Sequence, residues 1–316
     1  MEGESISQKV KRLQIRTKHQ VSDVLAGAYL SVFKGSGIEF EEVRPYVPGD
    51  EIRSIDWNVT ARTGVPHVKR FVEERELTVI LLVDISSSQD FGLGGKSKRE
   101  IASEFAALLA FSAIANQDKI GLILFHKESE LFIPPRKGQK HALRIVREVL
   151  EGEERNTIQK EDLPWYKRWF SFKRDQHLVK GTNIAGSLEF CRKVLNKKSV
   201  LFVISDFLDV GFIPAMSNVN RKHDVIATLI TDQAESVFPE VGMIEMKDTE
   251  TEQNLMVDTS SKDFQNLLLS QHNNRMNQLE NSLRSCGIDL IHIQSHQPVI
   301  EPLIQFLRMR EKRGMG

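Results

Sequence analysis

The sequence has little cysteine: 316 residues carry two, Cys191 and Cys286, far apart and outside any metal-binding spacing. That excludes a disulfide-stapled scaffold and a cysteine zinc site, and it suits a reducing compartment. Nor is there an excess of either charge sign. Lys+Arg and Asp+Glu are equal at 43 each, so no global field draws the chain to nucleic acid or an anionic membrane. Apolar runs such as Val79–Val83 fall far short of the ~20 residues needed to span a bilayer. The opening MEGESISQKVKRLQ lacks the apolar stretch of a secretory signal. The expectation is a cytoplasmic protein with no direct membrane span and no nucleic-acid partner. Internal repeats and low-complexity tracts are also missing. His126, His141 and His177 have no zinc-like spacing.

What is present is the composition of a globular protein with a substantial core, 40% hydrophobic and 27% charged. Spaced apolar residues over 5–33 (Val10, Leu13, Val21, Leu25, Leu30) predict a helix. Residues 35–62, GSGIEFEEVRPYVPGDEIRSIDWNVTAR, are punctuated by Gly35, Gly37, Pro45, Pro48 and Gly49, which predicts short strands and turns. HVKRFVEERELTVILLVD reads as strand carrying the chain onward. Thereafter strands predicted at 77–84, 119–126, 199–206, 224–231 and 289–295 alternate with helices at 98–116, 141–152, 183–196 and 262–287. Several strands are apolar on both faces, the mark of a parallel sheet covered by helices on both sides. The fold class expected is α/β, a doubly wound, mainly parallel sheet, with a small N-terminal β-containing domain. The division is 1–75 for the N-terminal helix and small β/turn domain, and 76–316 for the α/β domain, with an insertion near 153–180.

Ligands of open α/β sheets sit beyond the carboxyl ends of the strands, at a switch point. Two predicted strands end there on a carboxylate, Asp84 in VILLVDISSS and Asp206 in SVLFVISD. Asp84, Ser86 and Ser88 alternate, so in extended chain they share one side. Thr182, in a loop before a helix, adds a hydroxyl, and Asp209 is a weaker further candidate. Hydroxyl and carboxylate oxygens suit a hard cation, and Mg²⁺ keeps waters beside one or two carboxylates. The plainer reading is a strand ending in an ordinary Asp/Ser turn.

The set Asp84/Ser86/Ser88, Thr182 and Asp206 resembles the metal-ion-dependent adhesion site of von Willebrand factor A-like domains, whose elements come in this order. Upstream, Gly35, Gly37, Glu39, Phe40, Arg44, Tyr46, Gly49, Asp50, Arg53, Ile55, Asp56, Trp57, Ala61 and Arg62 are similar to the signature of the bacterial family catalogued as domain of unknown function 58. The resemblance implies a von Willebrand A-like α/β domain. It also implies Mg²⁺ or another divalent cation as cofactor, held by Asp84, Ser86, Ser88, Thr182 and Asp206. The partner it implies is a MoxR-type AAA+ ATPase or its client, in the assembly or maturation of protein complexes. Read physically, Arg44, Arg53 and Arg62 among Glu39, Glu41, Glu42, Asp50 and Asp56 form an ion-pair network around Trp57 and Tyr46, or else a charged recognition surface.

Rival readings fare worse on the sequence. GLGGKSKRE, residues 92–100, mimics a phosphate loop, but the position that needs the first glycine is Asp90. It is therefore read as a flexible loop. No Gly-x-Ser-x-Gly elbow is present. A phosphohydrolase or nuclease using Asp84 and Asp206 stays as the alternative; Lys96 and Lys98 are its nearest basic residues. The insertion interleaves Trp165, Tyr166, Trp169, Phe170 and Phe172 with Lys167, Arg168, Lys173 and Arg174. It is read either as a surface excursion burying its own aromatics or as a binding surface, for stacked nucleic-acid bases, a membrane interface or, the preferred reading, a protein partner. The function expected is a non-enzymatic interaction module whose cation captures a partner's carboxylate.

Overall fold

The computed structural model describes residues 6–20, 27, 29, 32–33, 37–74, 76–90, 96–126, 130–151, 182–235, 240, 242–247 and 254–314. The aromatic and basic stretch at 153–180, and residues 92–95 of the glycine-rich loop, lie outside them. Two compact units divide the chain, one of Phe33–Leu77 and one of Met1–Val32 with Thr78–Gly316. The N-terminal helix thus clusters with the large unit, although the sequence reading grouped it with the small one.

In the small unit, β1 (Gly37–Pro45) pairs antiparallel with β2 (His67–Glu74), with a bulge between Phe40 and Glu42. Between them lies α2 (Trp57–Thr63). Asp56 starts this helix by accepting the N–H groups of Asn58 and Val59 at 2.9 and 3.2 Å, which satisfies two donors that a helix start leaves over. Gly64 ends it at φ 72°, a left-handed cap that glycine adopts without a Cβ clash. Some of the charges pair locally. Arg44 forks onto Asp50 at 2.8 and 2.7 Å, and Asp56 meets Lys69 at 3.4 Å. Trp57 is 67% exposed, so it is not the buried centre of an ion-pair network.

The large unit is built on a six-stranded sheet. Its strands are β3 (Thr78–Asp84), β4 (Lys119–Phe125), β5 (Glu130–Arg136), β6 (Val200–Ser205), β7 (Asp224–Thr231) and β10 (Asp289–Gln294). Their order is β10-β7-β6-β3-β4-β5, all parallel except the edge strand β5. The doubly wound, mainly parallel sheet expected from the sequence is the one observed. The single strand read through HVKRFVEERELTVILLVD is instead two strands, β2 and β3, in different sheets.

Helices cover both sheet faces. Ile80, Leu82, Ile123, Leu201, Val203 and Ala227 pack under α5 (Ile184–Val194), α6 (Ile213–Asn220) and the end of α7 (Lys262–Ser285). Side chains of alternate parity face α3 (Lys98–Ala115), where Phe105 meets Phe202 edge to face at 6.1 Å. Helices α4 (Gln139–Leu150) and α1 (Ile6–Gln20) lie against α3. A hairpin of β8 (Met243–Lys247) and β9 (Asn254–Asp258) precedes α7, and α8 (Ile300–Gly314) closes the chain against β10. Strand β3 is buried over its last six residues, so its apolar content is the driving force for this layer. Among the described residues, no helix is long and apolar enough to cross a membrane.

Candidate functional site

The chain runs from β3 to β4 on one side and returns through β6 on the other. The switch point therefore falls between the carboxyl ends of β3 and β6. Asp84 is the last residue of β3, and Ser205 the last of β6. Strand alternation gives Asp84 and Ser205 the parity of Leu82 and Val203. The two meet, with Ser205 Oγ donating to Asp84 Oδ2 at 2.7 Å. Ser205 Oγ in turn accepts the N–H of Phe207 at 3.0 Å. Phe207 stands at φ 51°, a left-handed conformation uncommon for a bulky residue and braced here by that bond.

Asp84 Oδ1 accepts the N–H of Ser86 at 2.9 Å. The chain then turns into a short 3₁₀ segment over Ser87–Asp90. Ser86 Oγ and Ser88 Oγ lie 3.0 Å apart. The expected convergence of these two hydroxyls occurs, but the turn produces it and not an extended strand.

Asp206, one residue past β6, is buried and takes the Lys98 ammonium on Oδ2 at 3.2 Å. Lys98 lies in the first turn of α3, whose start Ser97 caps by accepting the N–H of Glu100 at 3.2 Å. The same ammonium pairs with Glu235, and Arg275 meets the other oxygen of Glu235 at 3.0 Å. Asp84 is 1% exposed. Burial first, and the charge of Asp206 second, push its carboxyl from 3.8 up to about 6, against the pull of the Ser205 and Ser86 hydrogen bonds.

Thr182 is half-buried, just before α5. Its neighbour Asn183 caps that helix, accepting the N–H of Gly186 at 2.8 Å. The next N–H, of Ile184, donates to Asp209 Oδ2 at 2.9 Å. The Thr182 loop is therefore tied to the loop that follows Asp206. Asp209, the weaker ligand candidate, serves as this tie. Bonds and charge coupling bring Asp84, Ser86, Ser88 and Asp206 together at the carboxyl end of the sheet; the Thr182 loop is tied to Asp209, and among the described residues no contact joins the Thr182 hydroxyl to the cluster. Sequence reasoning missed Ser205, and it saw Lys98 only as a basic residue near the site. Glu235 follows the end of β7 by four residues, a position that signals nothing until the side chains meet. Leu208 and Val210 are 53% and 81% exposed beside Asp209.

The donors are all oxygens. Adjacent ligands of an octahedral Mg²⁺ at ~2.0–2.1 Å stand about 2.9 Å apart; the Ser86 and Ser88 hydroxyls are 3.0 Å apart. Among the described residues, no three His, Cys, Asp or Glu side chains are grouped to hold a metal. A cation here would depend on hydroxyls together with the carboxylates, which fits a hard ion and not a soft one.

Residues 42–275 match the profile of the family described as "Protein of unknown function DUF58". The uncharacterized protein Rv1480 of Mycobacterium tuberculosis is 24% identical over 310 residues, covering 97% of this chain and 90% of its own. The uncharacterized protein YeaD of Bacillus subtilis is 29% identical over 136 residues, 43% of this chain and 31% of its own. Among solved structures, the conserved hypothetical protein BatB from Bacteroides thetaiotaomicron overlays with a TM-score of 0.40 at 13% identity, covering 75% of this chain and 99% of that one. The SpRpn10 VWA domain overlays with a TM-score of 0.38 at 10% identity, covering 73% and 95%. The fold is defined by the strand order above, not by these overlays.

Proposed function

The chain belongs to the family of unknown function DUF58, and from that footing we propose that it is a non-enzymatic protein-interaction module with a metal-ion-dependent adhesion-type site. One observation carries this reading. Asp84 is a buried carboxylate, hydrogen-bonded by neutral donors and beside a second buried carboxylate, Asp206, and two hydroxyls lie at the spacing of cation ligands. Lys98 answers the charge of Asp206, but the hydrogen bonds to Asp84 come from neutral groups, so ionised Asp84 is the costly member that a divalent cation would relieve.

Ser86, Ser88 and Thr182 offer hydroxyl oxygens, while Asp84 and Asp206 supply the neutralising charge and orient waters. A bound Mg²⁺ would supply the positive charge that draws a partner's Asp or Glu to a remaining position. The Asp84–Ser205 and Ser205–Phe207 bonds hold the two loop starts in place before the partner arrives, which lowers the ordering cost of association. The partner proposed is a MoxR-type AAA+ ATPase or its client, in the assembly or maturation of protein complexes.

The test is capture of the MoxR-type ATPase encoded in the same genome by the purified protein, in Mg²⁺ and in EDTA. Capture should require Mg²⁺ and disappear in Asp84→Ala. Equal capture in EDTA, or undiminished capture by that variant, would sink the reading.

A further inference from the structure

We propose that Lys98 is a resident cation of this site that competes with the divalent ion for Asp206; the inference rests on the metal reading above. Lysine is among the residues least often buried, and when buried it is paired. Here the Lys98 side chain is 3% exposed, lies 3.2 Å from Asp206 Oδ2, and also pairs with Glu235. This is not a surface lysine that happens to lean on an acid. Ser97 caps the helix one residue earlier, and the next residue, Arg99, donates to the Ile85 carbonyl at 3.3 Å. The first turn of α3 is thus fastened on both sides of Lys98, at the segment that follows Asp84.

Asp206 is the carboxylate that the ammonium engages, and it is also one of the two that would neutralise a divalent ion. A carboxylate oxygen committed to a fixed ammonium is a weaker ligand, directly or through water. A second cation brought beside the first is repelled, with little solvent to screen the pair. Glu235 offers the ammonium an alternative. It already holds Arg275 at 3.0 Å on its other oxygen, so Lys98 can remain ion-paired there if Asp206 turns to a metal. Lys98 therefore sets divalent affinity below what the oxygen donors alone would give, and it keeps Asp206 neutralised without metal.

The experiment is calorimetric titration of the full chain with Mg²⁺ and with Mn²⁺, wild type against Lys98→Met, with thermal melts reporting folding. Methionine keeps the buried stem without the charge. Removing an opposite charge within ~4 Å of a buried carboxylate changes its cation affinity by roughly tenfold or more, so Lys98→Met should bind both ions at least about tenfold tighter. Binding seen only in the variant would also support the proposal. A folded variant that binds no tighter than a metal-binding wild type overturns it and leaves the metal reading intact. Absence of binding in both proteins overturns the metal reading, and Lys98 as a competitor falls with it. Should Lys98→Met fail to fold, Lys98→Met with Glu235→Gln removes one charge of each sign and is read the same way.

Discussion

Replacing Asp84 with Asn should stabilise this protein in chelator at neutral pH, the reverse of the usual result for a buried hydrogen-bonded residue. The Asp84 carboxyl is raised from 3.8 to about 6 in the fold, by burial and then by Asp206. A carboxyl that holds its proton more tightly when folded contributes stability that is complete below pH 3.8 and lost as pH rises to about 6. At ~1.36 kcal/mol per pH unit, the loss is about 3 kcal/mol. Asn carries no charge and escapes that loss. It has one acceptor oxygen where Asp84 takes the Ser86 N–H and the Ser205 hydroxyl on two; the missing bond costs about 1 kcal/mol. Asp84→Asn should therefore be about 2 kcal/mol more stable than wild type above pH 6 in EDTA, and slightly less stable near pH 4. Mg²⁺ at a hundred times its dissociation constant stabilises a binding protein by ~2.7 kcal/mol, and wild type alone should receive it in full. The neutral-pH advantage of the variant should then vanish or invert. Urea melts followed by circular dichroism at about pH 4 and pH 7.5, in EDTA and in Mg²⁺, measure all four cases. A variant destabilised equally in every condition would refute the electrostatic reasoning.

Two predictions concern the scaffold. A Cβ added at Gly121 would stand 2.9 Å from Ile80 Cδ1, 3.0 Å from the Ile133 carbonyl oxygen and 3.1 Å from the Pro135 nitrogen. Two of these are backbone atoms of β5, so Gly121→Ala should cost about 1–3 kcal/mol by overpacking, read as a lowered Tm; an unchanged melt would show that β5 gives way freely. Arg310 on α8 joins Asp224 and Asp289, the first residues of β7 and β10, at 2.9 and 2.7 Å. Arg310→Met should cost about 1–3 kcal/mol, because two partly buried acids lose their shared cation. An unchanged Tm in the variant would show that the two acids do not need this cation.

The parallel core was legible because its signal is redundant. Strand 77–84 in the sequence is Thr78–Asp84 in the fold, and 224–231 is matched to the residue. These strands are buried on both faces and therefore apolar throughout. Of the two edge strands, sequence reasoning found β10, read as 289–295, and missed β5. Strand β5 contains Pro134 and Pro135, which read as loop, yet proline is tolerated on an edge strand where an N–H need not pair. Helix α6 has eight residues with Pro214 in its first turn, too short to declare a period. The β8–β9 hairpin and α8 gave no signal that rose above their neighbours.

The site divides along the same line. Asp84 and Asp206 are found by position alone, since the end of a buried strand at a switch point is where a polar residue has no packing reason to be. Ser86 and Ser88 follow from spacing, although a 3₁₀ turn and not strand alternation brings their hydroxyls together. Lys98 and Glu235 could not be found that way. Their roles come from three segments far apart in the chain, the first turn of α3, the loop after β6 and the turn after β7, closing on one ammonium. A motif records which atoms could hold a cation; it does not record whether the protein has already placed a cation of its own among them. Lys98 therefore bears on whether divalent binding here is tight or weak, a question the ligand pattern leaves open.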